Sequence, residues 1–288
     1  MNLEPELYAG EGSHMLKNFQ NKSVLITGAA TGIGRALSHE IANRGATVYV
    51  TALTKKEAQI VVDEITSSNG KAIPAKLDVG KFKDIEKMIN LVVREQGQLD
   101  LMINNAGVAY VGESFDMQVD TIEKLAHINF TAVNMGAVLA YTQMKKQGFG
   151  YILNTASMGG FLPTPGMAVY AATKHGVVGL TTSLAAEGRD FNIFVKASCP
   201  GFIKSELMNK SGDVSNNMSE YLDLLPEPID ASIAAKTIIN GLGKKPVLIF
   251  TPYYAKISYF LNRFIPGFLA RGGDDILNKY RKATGVIK

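Results

Sequence analysis

The sequence predicts an α/β fold: a single doubly wound domain on a parallel, seven-stranded sheet. Three observations predict it. From Lys22 onward, short β-branched runs alternate with helix-length amphipathic segments, which places parallel strands between two helical layers. The polar motifs fall where strands end or in the helices that follow, the ligand-binding edge of such sheets. The 288 residues are 46% hydrophobic and 19% charged, enough for one well-developed core.

The elements follow in order. Val24-Leu25-Ile26-Thr27 is a compact apolar run that stops at glycines, hence a buried strand. A helix over 33–44 is closed by Gly45, and TVYVT (47–51) is the second strand. An amphipathic helix runs from Lys55 to Ser68 and ends at Asn69-Gly70. Strands at 71–77 and 99–103 flank a helix over 82–96. One long helix is expected from about Val119 to Lys146. A strand at 151–155, a helix at 167–187, a strand at 193–198, a helix at 231–242 and a strand at 247–250 complete the series. The Ser-, Asn- and Pro-rich stretch 205–230 reads either as a lid over a site or as a surface excursion.

Composition narrows the function classes. A net charge of +4 with only a mildly basic tail at 279–288 gives no stripe for nucleic acid. Cys199 is the sole cysteine, so no internal disulfide forms and a reducing, cytoplasmic setting is expected. One cysteine and four scattered histidines give no metal-ligand spacing. No apolar run reaches membrane-spanning length. Gly12-Ser13-His14-Met15 has the look of a cloning scar, so residues 1–14 are expected to be a leader and 15–288 the domain.

The first strand runs into Thr27-Gly28-Ala29-Ala30-Thr31-Gly32-Ile33-Gly34 and then a helix. Gly28 suits a tight turn, Gly32 a close approach of backbone to a pyrophosphate, and Gly34 the packing of helix on strand. The helix N-terminus adds unpaired N–H groups for phosphates. The alternative is a tight βα turn without a ligand. Asp78, after the third strand, is either an acceptor for an adenine amino group or the cap of the next helix. Asn104-Asn105-Ala106-Gly107 offers small residues against which a cofactor can lie, and amides that can tie strands.

An acidic residue about twenty positions after the loop would bond a ribose 2′-OH. Here the second strand ends Thr51-Ala52-Leu53-Thr54, and Lys55 and Lys56 follow. Those lysines can meet a 2′-phosphate, although Leu53 and Thr31 are neutral. The reading favours NADP(H) over NAD(H).

Ser157 follows the fifth strand, and Tyr170-Ala171-Ala172-Thr173-Lys174 begins thirteen residues later. Tyrosine and lysine at i and i+4 share a helical face. A free phenol titrates near pH 10, and a neighbouring ammonium favours its ionised form. The pair can exchange a proton with a substrate oxygen while a nicotinamide exchanges hydride. Ser157 would hold that oxygen. A lone Tyr-x-x-x-Lys is more often a solvated face with a packed ring; the order glycine loop, Asn-Asn-Ala-Gly, Ser, Tyr, Lys distinguishes this one. His175 reads as a surface or capping residue, and Cys199 as a buried thiol.

Together these residues resemble the short-chain dehydrogenase/reductase family, with a Rossmann-type fold, from about Lys22 to Ser205, the fold continuing to about Phe250. The resemblance implies a catalytic set of Asn129, Ser157, Tyr170 and Lys174, with Asn129 holding a water that links Lys174 to solvent. It implies cofactor contacts at Gly28, Thr31, Gly32, Ile33, Gly34, Leu53, Asp78, Val79, Asn105, Ala106, Gly107, Tyr170 and Lys174. Pro200, Gly201 and Ile203 would line the nicotinamide, and Ser205 would meet its carboxamide. It also implies a homodimer or homotetramer.

Acyl-carrier reductases of the family typically carry Asp-Gly-Gly soon after the last strand, whereas Gly272-Gly273-Asp274 comes late here. The tail over 251–288 looks more like the branches acting on lipophilic ketones or alcohols. Ile257, Phe260, Leu261, Phe264 and Leu269 are spaced for one apolar face, with Lys256, Arg263 and Arg271 outside it. That face is expected in core or subunit packing, with a pocket lining and membrane-surface contact as alternatives. The leading expectation is an NAD(P)(H)-dependent reductase or dehydrogenase of lipophilic carbonyls or alcohols. A 3-oxoacyl thioester reductase and a non-catalytic NADP-sensing protein are the alternatives.

Overall fold

The computed structural model describes residues 18–207 and 226–283. Its sheet has seven parallel strands: β1 (Ser23–Ile26), β2 (Thr47–Ala52), β3 (Lys71–Lys76), β4 (Leu101–Asn104), β5 (Gly150–Thr155), β6 (Ile193–Pro200) and β7 (Leu248–Thr251). Their order is β3-β2-β1-β4-β5-β6-β7, a doubly wound sheet. Pro74 fits in β3 because that strand is at the edge, where a missing N–H costs no ladder bond.

Period-2 alternation divides the core between the faces. Val24, Ile26, Val48, Val50, Leu101 and Ile103 face α1 (Gly32–Asn43), α2 (Lys55–Ser67) and α7 (Ala231–Leu242). Leu25, Tyr49, Met102 and Ile152 face α3 (Phe82–Gln96), α5 (Ala132–Gln147) and α6 (Ala168–Glu187). The sheet is thus covered on both sides, and its polar strand ends converge on one edge.

The expected helix from Val119 to Lys146 is interrupted. α4 (Val119–Ala126) passes through a π turn at His127–Thr131 before α5 begins. A π turn inserts one residue into a helix and often marks a functional position. Here it places the Asn129 side chain on the backbone of Val108. The demand is tertiary, so no local periodicity announces it.

After β7 come α8 (Tyr253–Phe264) and α9 (Pro266–Ala283). α8 packs through Ala255, Tyr259 and Asn262, which lie on one face at i, i+4 and i+7. The Tyr259 ring lies 5.3 Å from Phe161 and 5.1 Å from Phe250. That aromatic cluster sets the helix phase and leaves Ile257 and Phe264, of the expected apolar face, 46% and 64% exposed on this chain, so they do not pack in its own core. The side chains of Leu269 and Arg271 lie outside the described ones. No helix among the described residues is long and apolar enough to cross a membrane. Of the stretch 205–230, positions 208–225 lie outside the described residues; its ends are drawn together where Ile203 pairs with Ile229.

Candidate active site

The glycine loop is fastened to the end of β4. Thr27 Oγ1 accepts hydrogen bonds from the backbone N–H groups of Asn105 (2.9 Å) and Ala106 (3.0 Å). Gly28 has φ +62°, and a Cβ there would come within 2.8 Å of Ala106 Cα, so only glycine fits. The Asn105 side-chain amide donates to the carbonyls of Thr27 and Gly28. A Cβ at Gly34 would lie 2.5 Å from that amide nitrogen and 2.2 Å from Gly28 O. Gly34 therefore makes room for Asn105 and the loop itself, a more specific reason than helix-on-strand packing. Gly32 faces Ser205, whose Cβ lies 2.9 Å from where a Gly32 Cβ would stand. Ser205 is thus on the glycine loop side of the cleft. Thr31 precedes α1 in extended conformation without a side-chain cap bond, and Ile33 packs on the core.

Asp78 does not cap α3. The cap position is Lys81, while Asp78 Oδ1 accepts from Gly80 N at 3.0 Å in a tight turn. Val79 lines a small cavity with Thr27, Asn104, Ala106, Ile128, Ala132 and Val133. At the end of β2, Leu53 is 63% exposed and Thr54 caps α2 through a reciprocal bond set with Glu57. Glu57 is thereby occupied, and Lys55 and Lys56 are left exposed on the first turn.

Lys174 is 4% exposed, and its ammonium donates to Thr155 O at 2.8 Å. Burial lowers its pKa to about 8, with a smaller opposing effect from Cys199. Its Nζ lies 5.6 Å from the Tyr170 ring centroid. Burial raises the Tyr170 phenol, opposed by a hydrogen bond with Ser157. Ser157 also accepts from Gly159 N at 3.1 Å, which fixes the turn presenting it. A side chain at Gly107 would lie 3.1 Å from Asn129 Oδ1 and 3.8 Å from Lys174 Nζ. The structure therefore brings Gly107, Asn129, Lys174, Tyr170 and Ser157 to one place.

Asn129 is clamped on both sides of Val108: Oδ1 accepts from Val108 N (2.8 Å) and Nδ2 donates to Val108 O (2.7 Å). Its side chain holds the Val108 backbone. Cys199 is fully buried and its thiol is pushed up to about 12 by burial. His175 Nδ1 pairs with Ala171 O, away from the chemistry. Among the described residues no cluster of His, Cys, Asp or Glu could hold a metal ion.

Several supports escaped the sequence reading. Asn104 donates to Asn154 (2.8 Å), and Asn154 to Thr181 on α6 (3.0 Å). This buried chain ties β4 and β5 to the helix that carries Tyr170 and Lys174; the Asn pair was readable, the threonine was not. Tyr254 on α8 accepts from Phe202 N at 3.0 Å, and its hydroxyl lies 2.6 Å from a Cβ position at Gly201. It holds Pro200-Gly201-Phe202-Ile203 at the end of β6. The doubled tyrosine after Pro252 was the one signal for it.

The family model described as short chain dehydrogenase matches residues 22–215. A 3-oxoacyl-[acyl-carrier-protein] reductase of Staphylococcus epidermidis is 35% identical over 216 residues, 74% of this chain and 88% of that protein. A short-chain dehydrogenase/reductase of Burkholderia phymatum, solved with NAD, superposes with a TM-score of 0.79 at 22% identity, covering 85% of this chain and 94% of that one; at that identity it shows the fold alone. A short-chain dehydrogenase of Sphingobium yanoikuyae, solved with NADPH, gives 0.73 at 26% identity over 86% and 95%. With glycine loop, Ser157, Tyr170 and Lys174 assembled on a doubly wound sheet, the chain belongs to the short-chain dehydrogenase family.

Proposed function

We propose that this oxidoreductase reduces a lipophilic ketone or aldehyde to the alcohol, with Tyr170 as proton donor. The observation that carries the reading is the set of half-buried Ser157 and Tyr170 with buried Lys174 beside Gly107. Tyr170 is raised by burial, so the phenol is protonated at neutral pH and suited to protonate a nascent alkoxide. Ser157 orients the carbonyl oxygen. Lys174, fixed on Thr155 O, supplies positive charge beside the phenol and a donor for a ribose hydroxyl. Asn129 keeps the Val108 backbone, and with it Gly107, in place. Tyr170 packs against the apolar cluster of Ala109, Val111 and Met167, which favours a lipophilic substrate.

The cleft fits a nicotinamide dinucleotide: bare glycine backbone at 28–34 opens onto the first turn of α1. Gly28, Gly32, Ile33, Gly34, Asn105, Ala106 and Gly107 would hold it on one side, with Ser205 beside Gly32, and Pro200, Gly201 and Ile203 on the other. When bound it supplies the hydride. Lys55 and Lys56 support NADP(H). Two cations on the first turn of α2 oppose the positive end of its dipole, a cost that a 2′-phosphate offsets. A homodimer or homotetramer is supported by Val119, Ile122, Phe130 and Val138, apolar and exposed on α4, the π turn and α5. The reduced Cys199 suits the cytoplasm.

The second reading, a 3-oxoacyl thioester reductase, is favoured by the name of the staphylococcal relative. Oxidation of NADPH and of NADH, followed with cyclic ketones and with a 3-oxoacyl thioester, separates the two. Higher kcat/KM for the ketones with NADPH supports the proposal; faster thioester reduction supports the second reading.

A further inference from the structure

The family match ends at residue 215, so α8 and α9 lie beyond it. α9 nevertheless returns to the active site. Its Tyr280 is 1% exposed and is buried in one cluster with Ala109, Val111 and Met167; Ile276, Leu277, Leu207 and Tyr170 pack against that cluster. Ile276, Leu277 and Tyr280 stand at i, i+1 and i+4, one face of a helix. Asp274, Asp275, Asn278, Lys279 and Lys282 on the remaining surface are exposed. Among its described side chains the helix thus has one apolar face, and that face packs on the cluster against which Tyr170 also packs.

An ion pair holds it there. Arg281 donates from Nε and Nη2 to both carboxylate oxygens of Glu113, at 2.6 and 2.5 Å. The Glu113 side chain is only 10% exposed. Two-point pairing fixes direction as well as distance. Glu113 follows Gly112, whose N–H donates to Gly166 O in the turn before α6. Gly273, in the first half of α9, lies over Pro165 in that same turn. α9 therefore spans the two segments that flank Tyr170.

We propose that α9 is the roof of the substrate pocket, that Ile276, Leu277 and Tyr280 select the apolar group attached to the reacting carbonyl, and that Glu113–Arg281 is the latch of that roof. This rests on the carbonyl-reduction reading above. The substrate it fits is a compact lipophilic ketone, held by packing against carbon. The Arg281 guanidinium is engaged by Glu113, so it is not offered to an anionic tail.

The test uses the full chain, the nicotinamide cofactor that supports turnover, and cyclic ketones graded from cyclohexanone to cyclododecanone. Tyr280→Ala opens the roof and should raise kcat/KM for the largest ring relative to the smallest by about tenfold, the range that pocket carbon commands. Cofactor Kd should stay within about twofold of the parent. Leu277→Ala is a milder opening should Tyr280→Ala fold poorly, and Leu277→Phe should shift the preference the other way. For the latch, Glu113→Gln and Arg281→Gln should each raise KM, and the double variant should raise it no further than either alone. Unchanged ring-size preference in an active enzyme overturns the roof alone. A parent chain inactive on every ketone overturns the carbonyl reading and the roof with it. Multiplying effects of the two latch variants overturn the latch.

Discussion

The floor and the roof of the site hold the same tyrosine by different physics. The floor is polar and closed: Lys174 on Thr155, Asn129 on Val108, and Asn104 through Asn154 to Thr181. Each of these groups is buried or nearly so, and an orphaned partner costs about 1–3 kcal/mol. Such a network fixes geometry and tolerates little change. The roof is carbon held down by one ion pair, Glu113–Arg281. Apolar packing leaves no polar group to orphan and tolerates volume-conserving swaps at modest cost. The chemistry belongs to the floor and the choice of substrate to the roof.

That division is open to attack in order of effect size. Lys174→Ala removes the buried charge that supports Tyr170 and should lower kcat by about 10²–10⁴-fold, the range for general acid–base catalysis, while ring-size preference stays unchanged. Steady-state kinetics across the ketone panel checks both halves. Asn129→Ala leaves both Val108 backbone groups without their partner and should destabilise the fold by about 1–3 kcal/mol, read as a lower denaturant midpoint together with a loss of kcat. Roof variants should change ring-size preference instead.

pH sharpens the same contrast. Burial raises the Tyr170 phenol, so reduction should hold constant through neutrality and decline only as alkaline pH removes the proton. Alcohol oxidation needs the phenolate and should increase with pH. At the roof, Arg281 holds the Glu113 carboxyl below its ordinary range. The latch therefore contributes fully above the ordinary glutamate pKa and is lost as pH falls through the depressed one. A pH–rate profile of both directions tests this. The smallest effect is expected at the far end of the cofactor cleft: Lys55→Ala with Lys56→Ala should weaken NADPH binding about three- to tenfold, from two exposed charges near a phosphate, and leave NADH binding unchanged by titration.

The floor was largely legible in the sequence because its residues follow the periods of the strands and helices that carry them. The glycine loop, Ser157, Tyr170 and Lys174 each stand at a strand end or on one helical face, and the structure places them there. Helix 231–242 coincides with α7. What escaped were long-range demands. The π turn exists to bring Asn129 to Val108, and Thr181 is reached only across two strands. The roof was least legible. The spacing of the tail pointed to one apolar face over 257–269, but the phase of α8 is set by Tyr259 against Phe161 and Phe250, and Ile257 and Phe264 stay exposed on this chain. The pairing of Arg281 with Glu113 spans 168 positions of chain, and no local pattern encodes it.

The central claim is that Tyr170 moves the proton while the rest of the floor only positions it. Tyr170→Phe deletes one oxygen and leaves the ring in place. Cofactor Kd by titration should remain within about twofold of the parent while kcat on a cyclic ketone falls by about 10²–10⁴-fold. A Tyr170→Phe enzyme that keeps its cofactor and turns over within tenfold of the parent would contradict the account.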